Sequence, residues 1–380
     1  MEITLYQHQR LFLEKNPNKY LLAWAPRLGK TLAAIRWANE NALVICPRFL
    51  VAQWQEQFSN ALIIGKEQFR ITHKQLPRHK TIIIDECHTI AGNTSQVSKA
   101  LYWYIKHHDP EQILLLSGTP YTSSPWCVWQ YGLYLGRWEK DRWLEFRNAF
   151  FREQYFGIRS VWVPKDTKET KEKLVAIMKS FGETIAVEDV FELEKDITIP
   201  VHFSETKKQK KLKDENEDIH PLARLTALHQ IEQNASDKDD WLKDIILKNK
   251  KVIVVCRYND QLYRFKGLFP NALVLNGDVK DKKAVIDEAE RAKECVLLVN
   301  IAIGTGYGLP SFPILVFASM DFSYINFVQM FARNKGPEQL QKTATYVLIT
   351  KDGIDEDVWD CVQKKKDFTT AIYERTRSLL

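Results

Sequence analysis

Thr81-Ile82-Ile83-Ile84-Asp85-Glu86-Cys87-His88 is the stretch that decides the fold. Its β-branched run predicts a buried parallel strand, and the two carboxylates and histidine that follow fall where open α/β sheets receive ligands. Upstream, Lys19-Tyr20-Leu21-Leu22-Ala23-Trp24 predicts a second strand. It is followed by Ala25-Pro26-Arg27-Leu28-Gly29-Lys30-Thr31 and then by an apolar helical pattern through Leu32, Ile35 and Trp37. Strand, loop and helix start come in the order that a phosphate-binding loop requires.

The chemistry of the two stretches is complementary. A loop ending in Gly29-Lys30-Thr31 offers backbone N–H groups and a helix N-terminus to phosphate oxygens, the lysine to the β- and γ-phosphates, and the threonine hydroxyl to magnesium. Asp85 is expected to hold that magnesium through water, and Glu86 to orient or deprotonate the water that attacks the γ-phosphate. Taken alone, Gly29-Lys30-Thr31 is also readable as a chance surface sequence, because Trp24 stands where the first glycine of the full pattern belongs. Asp85-Glu86 alone is also readable as a solvated strand end. Together they predict a nucleoside triphosphate and Mg2+ as cofactors, with Thr31 and Asp85 as the magnesium ligands.

The totals leave room for this. A chain of 380 residues can bury two cores, and its 45% hydrophobic content with eleven tryptophans excludes disorder. A net charge of +6 permits a nucleic-acid partner without requiring one. The six cysteines form no Cys-x-x-Cys pair, so neither a zinc site nor a disulfide framework is expected, and a reducing cytoplasm fits. The first residues lack the pattern of a signal peptide, and no apolar run reaches membrane-spanning length.

In chain order, Gln9 opens a helical pattern with Leu11, Phe12 and Leu13, and its amide can read an adenine edge or simply face solvent. Ala42 to Pro47, Phe69 to His73 and Gln112 to Leu116 are further expected strands. The last ends in Ser117-Gly118-Thr119-Pro120, whose hydroxyls either sense the γ-phosphate or cap a turn. Trp126 to Phe156 is strongly aromatic and is expected to be helical core, with a base-stacking surface as the other reading. Lys165 to Lys173 reads as a charged linker, and Asp196 to Phe203 as an extended crossing segment. The lysine run from Lys207 to Lys213 reads as a solvated face or a phosphate contact. A second series of strands begins at Lys251, Leu273, Val296, Ile314 and Thr345. Strands alternating with helices twice over predict an α/β chain of two doubly wound parallel-sheet lobes. The second lobe has no phosphate loop, so its candidates are the glycine-rich Gly304 to Pro310 and the stretch from Gln329 to Lys335.

With these residues in this order, the chain resembles the superfamily 2 helicases, and within them the Swi/Snf-type DNA translocases. Gln9 matches the adenine-reading glutamine, Leu28-Gly29-Lys30-Thr31 the Walker A core, and Asp85-Glu86-Cys87-His88 the Asp-Glu-x-His (DEAH-like) box. Ser117-Gly118-Thr119-Pro120 is similar to the third motif, Leu222 to His229 to the start of the family's second lobe, and Gly306-Tyr307-Gly308-Leu309 and Gln329 to Arg333 to its fifth and sixth motifs. The resemblance implies two RecA-like lobes: 1–135, then a small helical, aromatic-rich insertion and linker over 136–197, then 198–380. It implies ATP as the nucleotide and an ATP hydrolase acting at the interface of the lobes to move along or remodel DNA, with Arg333 as an arginine finger, Gly306 near the nucleotide, and Ser117, Thr119 and Gln329 coupling hydrolysis to movement. It departs from the family in Trp24, Ala25 and Arg27, and in having Gly336 where a second arginine is usual, with Lys335 as its only substitute. That departure keeps open an ATP-gated nucleic-acid clamp with weak turnover, beside an RNA-directed helicase. A small-molecule kinase or GTPase is disfavoured, because Pro337 stands where a guanine-reading aspartate belongs. A monomer without membrane contact is expected, in the cytoplasm or in a host's if the chain is phage-encoded.

Overall fold

The computed structural model describes residues 5–38, 41–92, 95–121, 124–156, 159–165, 167–186, 189–190, 197–205, 221–233, 236–303, 307–335, 339 and 341–364. The chain divides into two compact units, Met1–Phe191 and Glu192–Leu380.

The first unit runs α1 (Gln7–Lys15), β1 (Lys19–Trp24), α2 (Lys30–Trp37), β2 (Leu43–Cys46), α3 (Val51–Gln57), β3 (Leu62–Gly65), α4 (Lys66–Thr72), β4 (Thr81–Ile84), α5 (Gln96–His108), β5 (Gln112–Leu116), α6 (Trp126–Tyr134), α7 (Trp143–Phe150), β6 (Phe151–Phe156), β7 (Arg159–Pro164), α8 (Lys168–Phe181) and β8 (Gly182–Ile185). Six strands form a parallel sheet in the order β3-β2-β4-β5-β1-β8. Ile82 and Ile84 of β4 pack on one face with Leu101 and Tyr104 of α5, and Ile83 packs on the other with Ala33, Ala34 and Trp37 of α2. Burial on both faces is why the run is apolar without alternation.

Two stretches differ from the sequence expectation. Phe69 to His73 is not a strand: the strand between α3 and α4 is the four-residue β3, and Phe69 lies in α4. A strand would bury Ile71 alongside Phe69, whereas Phe69 is fully buried and Ile71 is 65% exposed. Lys165 to Lys173 is not a linker throughout, because α8 starts inside it. The Thr167 side chain accepts from the Thr170 N–H at 3.1 Å, a Glu169–Lys173 pair adds an i,i+4 contact, and Leu174, Met178 and Phe181 bury the inner face. The 136–197 segment therefore contains helices, an antiparallel hairpin (β6 with β7) and the sheet strand β8, which pairs with β1. Most of the aromatic run from Trp126 to Phe156 is core, including Trp129, Tyr131, Tyr134, Phe146, Phe150 and Phe151, while Trp126, Trp138 and Trp143 are only partly buried.

The second unit runs β9 (Ile197–Phe203), α9 (Pro221–Glu232), α10 (Ser236–Lys248), β10 (Lys251–Cys256), α11 (Asn259–Leu268), β11 (Leu273–Leu275), α12 (Lys282–Arg291), β12 (Cys295–Asn300), β13 (Ile314–Phe317), α13 (Tyr324–Phe331), β14 (Ala344–Thr350) and α14 (Ile354–Gln363). Its sheet is again parallel, in the order β11-β12-β10-β13-β14-β9. The segment expected to cross in extended form is the edge strand β9, a position that tolerates Pro200. A buried polar cluster ties α9, α10 and α14 together. Asp355 accepts from His229 Nε2 at 3.0 Å, from Gln233 Nε2 at 2.8 Å, from Lys238 Nζ at 2.6 Å and from the Thr350 N–H at 3.1 Å. Glu232 accepts from the N–H groups of Ile354 and Asp355, which caps the start of α14. The lysine run at 207–213 lies outside the described residues. Among the described residues no helix is long and apolar enough to cross a membrane.

Candidate active site

The sheet order of the first unit sets the site. β1 and β4 are separated by β5 alone, so the loops after β1, β5 and β4 emerge side by side at the carboxyl ends of three parallel strands. Each carries one of the candidate motifs.

The loop after β1 is shaped by two left-handed residues, Arg27 at φ 69° and Gly29 at φ 73°, the latter forming the N-cap of α2. Helix α1 braces this loop from behind: His8 Nε2 lies 2.9 Å from the Leu28 carbonyl, and Gln9 Nε2 donates to the Gly29 carbonyl at 3.1 Å. Gln9 is buried and also accepts from the Tyr6 N–H at 2.8 Å. A Cβ on Gly29 would meet Gln9 Nε2 at 2.1 Å, so any side chain there would be strained by its backbone conformation and would push the Gln9 amide aside. Trp24 occupies the missing glycine's place by turning inward: its fully buried ring packs edge-on to His8 and Phe12, and its Nε1 donates to Glu183 on β8 at 2.8 Å. Lys30 Nζ donates to the Trp24 and Ala25 carbonyls at 2.8 and 3.2 Å.

After β4, Asp85 continues the sheet and is 8% exposed. Its Oδ2 accepts from Trp54 Nε1 at 2.8 Å and its Oδ1 from the Glu86 N–H at 2.9 Å. Burial, and then the Glu86 charge, push its carboxyl up to about 6, against the Trp54 hydrogen bond and the positive charge of Lys30. Glu86 adopts a left-handed backbone at φ 47°, a conformation that costs a side chain about 1 kcal/mol or more. The chain turns there into the short Cys87–Thr89 helical turn, with the Glu86 carboxylate 3.4 Å from His88 Nδ1. Burial, and then the charge of Lys66, push the His88 ring down to about 4, so it is neutral near pH 7.

The loop after β5 joins the other two. Ser117 Oγ lies 2.9 Å from His88 Nδ1 and accepts from the Thr119 N–H at 3.1 Å. Gly118 sits against the first loop: an added Cβ would meet Pro26 Cδ at 3.1 Å. Thr119 Oγ1 is buried with no hydrogen-bond partner among the described residues.

The structure thus brings Gln9, Leu28, Gly29, Lys30, Thr31, Asp85, Glu86, Ser117 and Thr119 together in one unit. Gln329 and Arg333 lie in the second unit, both buried. Arg333 donates to the Gln329 carbonyl at 2.8 Å and the Tyr307 carbonyl at 2.7 Å, so its guanidinium links the two stretches singled out in that lobe. Gly306 lies outside the described residues. Sequence reasoning missed two contributors. Trp54 fitted the apolar spacing of α3 and gave no sign of its hydrogen bond to Asp85, although a buried indole N–H usually finds an acceptor. His8 carried no signal beyond its place next to Gln9.

The residues present fit a nucleotide with magnesium. A positively charged lysine and a helix N-terminus adjoin a carboxylate pair, and the orphaned Thr119 hydroxyl offers a hydrogen bond that a phosphate oxygen can take up.

No family model and no curated protein matches the sequence. Among solved structures the chain is similar to the SWI2/SNF2 ATPase core of Sulfolobus solfataricus in complex with dsDNA, at 18% identity and a TM-score of 0.45, covering 96% of this chain and 92% of that one. It is similar also to the Sulfolobus solfataricus SWI2/SNF2 ATPase core domain, at 16% identity and a TM-score of 0.44, covering 96% and 89%.

Proposed function

We propose that the protein is an ATP-dependent DNA translocase that hydrolyses ATP and uses the cycle to move along or remodel DNA. The observation that carries this reading is the chain of contacts that joins α1 and the three loops: Gln9 to Gly29, Pro26 to Gly118, and Ser117 to His88 beside Glu86. A nucleotide-binding protein that only stored ligand would need the loop at Gly29-Lys30-Thr31. It would not need a histidine that ties the carboxylate turn to a third loop.

In this reading the amides before α2 and the Lys30 ammonium bind the β- and γ-phosphates, with Lys30 leaving its loop carbonyls to do so. Thr31 and Asp85 hold the magnesium, which when bound neutralises charge on the phosphate oxygens. Glu86 orients the attacking water and accepts its proton. His88, being neutral, positions that carboxylate without cancelling its charge, and Ser117 and Thr119 carry the state of the phosphate to the rest of the unit. Arg333 is assigned to stabilise charge in the transition state. DNA as the track rests on the order of the motifs, with the net positive charge consistent with it.

The test is steady-state ATP turnover with single-stranded DNA, duplex DNA, forked DNA and RNA side by side. Turnover stimulated by duplex DNA and abolished in Glu86→Gln and Lys30→Ala supports the reading; normal turnover in Lys30→Ala refutes the site. One observation favours a second reading, an ATP-gated clamp with weak turnover: the Arg333 guanidinium already bonds two main-chain carbonyls of its own unit. Brisk DNA-stimulated turnover removes that reading.

A further inference from the structure

Two clefts of about 310 Å3 each lie on the first unit on either side of α5 and meet at Lys99. Tyr102, Trp126, Trp143 and Lys140 line one, and Arg70, His73 and Trp103 line the other. The aromatic rings are those that core packing only half covers. Trp126 and Trp143 stack at 4.1 Å with planes 15° apart, and Trp103 stacks on His107 at 4.6 Å and 14°. Each is partly exposed, whereas Trp129, Tyr131 and Tyr134 behind them are buried.

The charges around these rings are arranged unevenly. Lys106 pairs with Glu139 at 2.6 Å and Lys80 with Glu111 at 3.2 Å. Among the described residues Arg70, Lys74, Lys99 and Lys140 make no ion pair, and two of them lie over the rings: Lys140 at 4.1 Å from the Tyr102 centroid and Lys74 at 5.8 Å from that of Trp103. Uncompensated cations interleaved with flat, half-covered rings match the chemistry of an unpaired nucleic-acid strand, which offers phosphates and free base faces together. A duplex keeps its base faces stacked on each other, and an acidic peptide has no planar faces to give. The geometry points to a groove across α5 that takes a single nucleic-acid strand, with bases against Tyr102, Trp103 and Trp143 and phosphates on Arg70, Lys99 and Lys140. The inference rests on the nucleic-acid reading above but uses none of its catalytic residues.

The test measures binding of a fluorescent oligothymidine to the full chain. Lys99→Ala/Lys140→Ala should weaken binding about 10-fold and flatten its dependence on salt by about two phosphate contacts. Trp103→Ala should weaken it by a similar factor, and Trp103→Phe, which keeps a ring, should restore most of it. Binding should also quench tryptophan fluorescence, a sign of stacking that a purely electrostatic contact does not give. Unchanged oligothymidine binding in the double variant and in Trp103→Ala overturns the proposal, as does equal competition by polyglutamate. Basal ATP turnover should be unaltered in these variants, and Lys30→Ala should still bind oligothymidine. The groove and the ATPase site can therefore fail separately.

Discussion

His88 Nδ1 and Ser117 Oγ lie 2.9 Å apart, and through this one contact the turn carrying Glu86 is fixed to the loop carrying Thr119. The ring is kept neutral by burial, so the link is an ordinary hydrogen bond worth about 1 kcal/mol rather than an ion pair. Removing it with Ser117→Ala should cost about 1 to 3 kcal/mol of stability, because the buried His88 Nδ1 and the Thr119 N–H lose their partner. ATP affinity should stay within about threefold of the parent, since that shift is about 0.6 kcal/mol. Nucleic-acid stimulation of turnover should fall by about 10-fold or more, because the carboxylate turn no longer moves with the third loop. Measuring nucleotide affinity and stimulated turnover in the same preparation checks this; equal loss of both would mean that Ser117 serves binding alone.

Trp54 Nε1 donates to Asp85 Oδ2 at 2.8 Å and aims the carboxylate from behind. Outer partners of this kind typically carry about 10-fold in metal affinity. Trp54→Phe keeps the packing of α3 and deletes the donor. The Mg2+ concentration for half-maximal ATP turnover should rise by about that factor while the maximal rate at saturating Mg2+ is largely retained. A fall in maximal rate with no change in Mg2+ requirement would remove Asp85 from the metal site.

Much of this was legible in the sequence where the physical signal is redundant. Ile82, Ile83 and Ile84 face both sides of one sheet, and only a central parallel strand needs that pattern. Gly29-Lys30-Thr31 was legible because a left-handed turn at the start of a helix, φ 73° at Gly29, favours glycine over any other residue. What misled was short and ambiguous: Phe69-Arg70-Ile71 alternates like a strand, yet Ile71 faces solvent on α4. Strand β8 was hidden because it closes the sheet edge with only Gly182-Glu183-Thr184-Ile185, where Gly182 is needed for close approach to the Leu21 carbonyl. The bonds from Trp54 to Asp85 and from His8 to the Leu28 carbonyl join residues 31 and 20 positions apart. Such pairings follow from tertiary packing and leave no local periodicity to read.

Gln9 and Gly29 are coupled by the hydrogen bond between them and by a clash that any side chain at 29 would create. Gly29→Ala should abolish ATP binding and lower stability by about 1 to 3 kcal/mol, the range for a strained left-handed residue with a steric conflict. Gln9→Ala/Gly29→Ala removes the clash with Nε2 but keeps the unfavourable φ of 73°. It should recover part of the stability and little of the nucleotide binding. Thermal unfolding together with nucleotide titration of both variants tests this. Full recovery of binding in the double variant would show that the backbone conformation at 29 is not required.

Asp355 is fully buried, and so is Lys238 at 1% exposure, which makes their ion pair a liability when either partner is lost. Burial alone would raise the Asp355 carboxyl, but the Lys238 charge and the His229 hydrogen bond outweigh it and hold the group well below its ordinary value of 3.8. The folded state therefore binds fewer protons than the unfolded one as the pH falls through 3.8. The stabilisation is complete above that pH and is lost progressively below it. Asp355→Asn leaves the lysine without a counter-charge and should cost the second unit about 3 to 5 kcal/mol near pH 7. The same substitution should flatten the acid limb, because the group whose protonation destabilises the parent is gone. Lys238→Met/Asp355→Leu should not restore parental stability, since His229, Gln233 and the Thr350 N–H also donate to Asp355 and would be left unsatisfied. Urea unfolding followed by pulse proteolysis, which separates fragments of the two units, gives each value at pH 7 and below pH 4. A parent whose second unit is as stable below pH 3 as at pH 7 would show that the Asp355 pair contributes nothing to it.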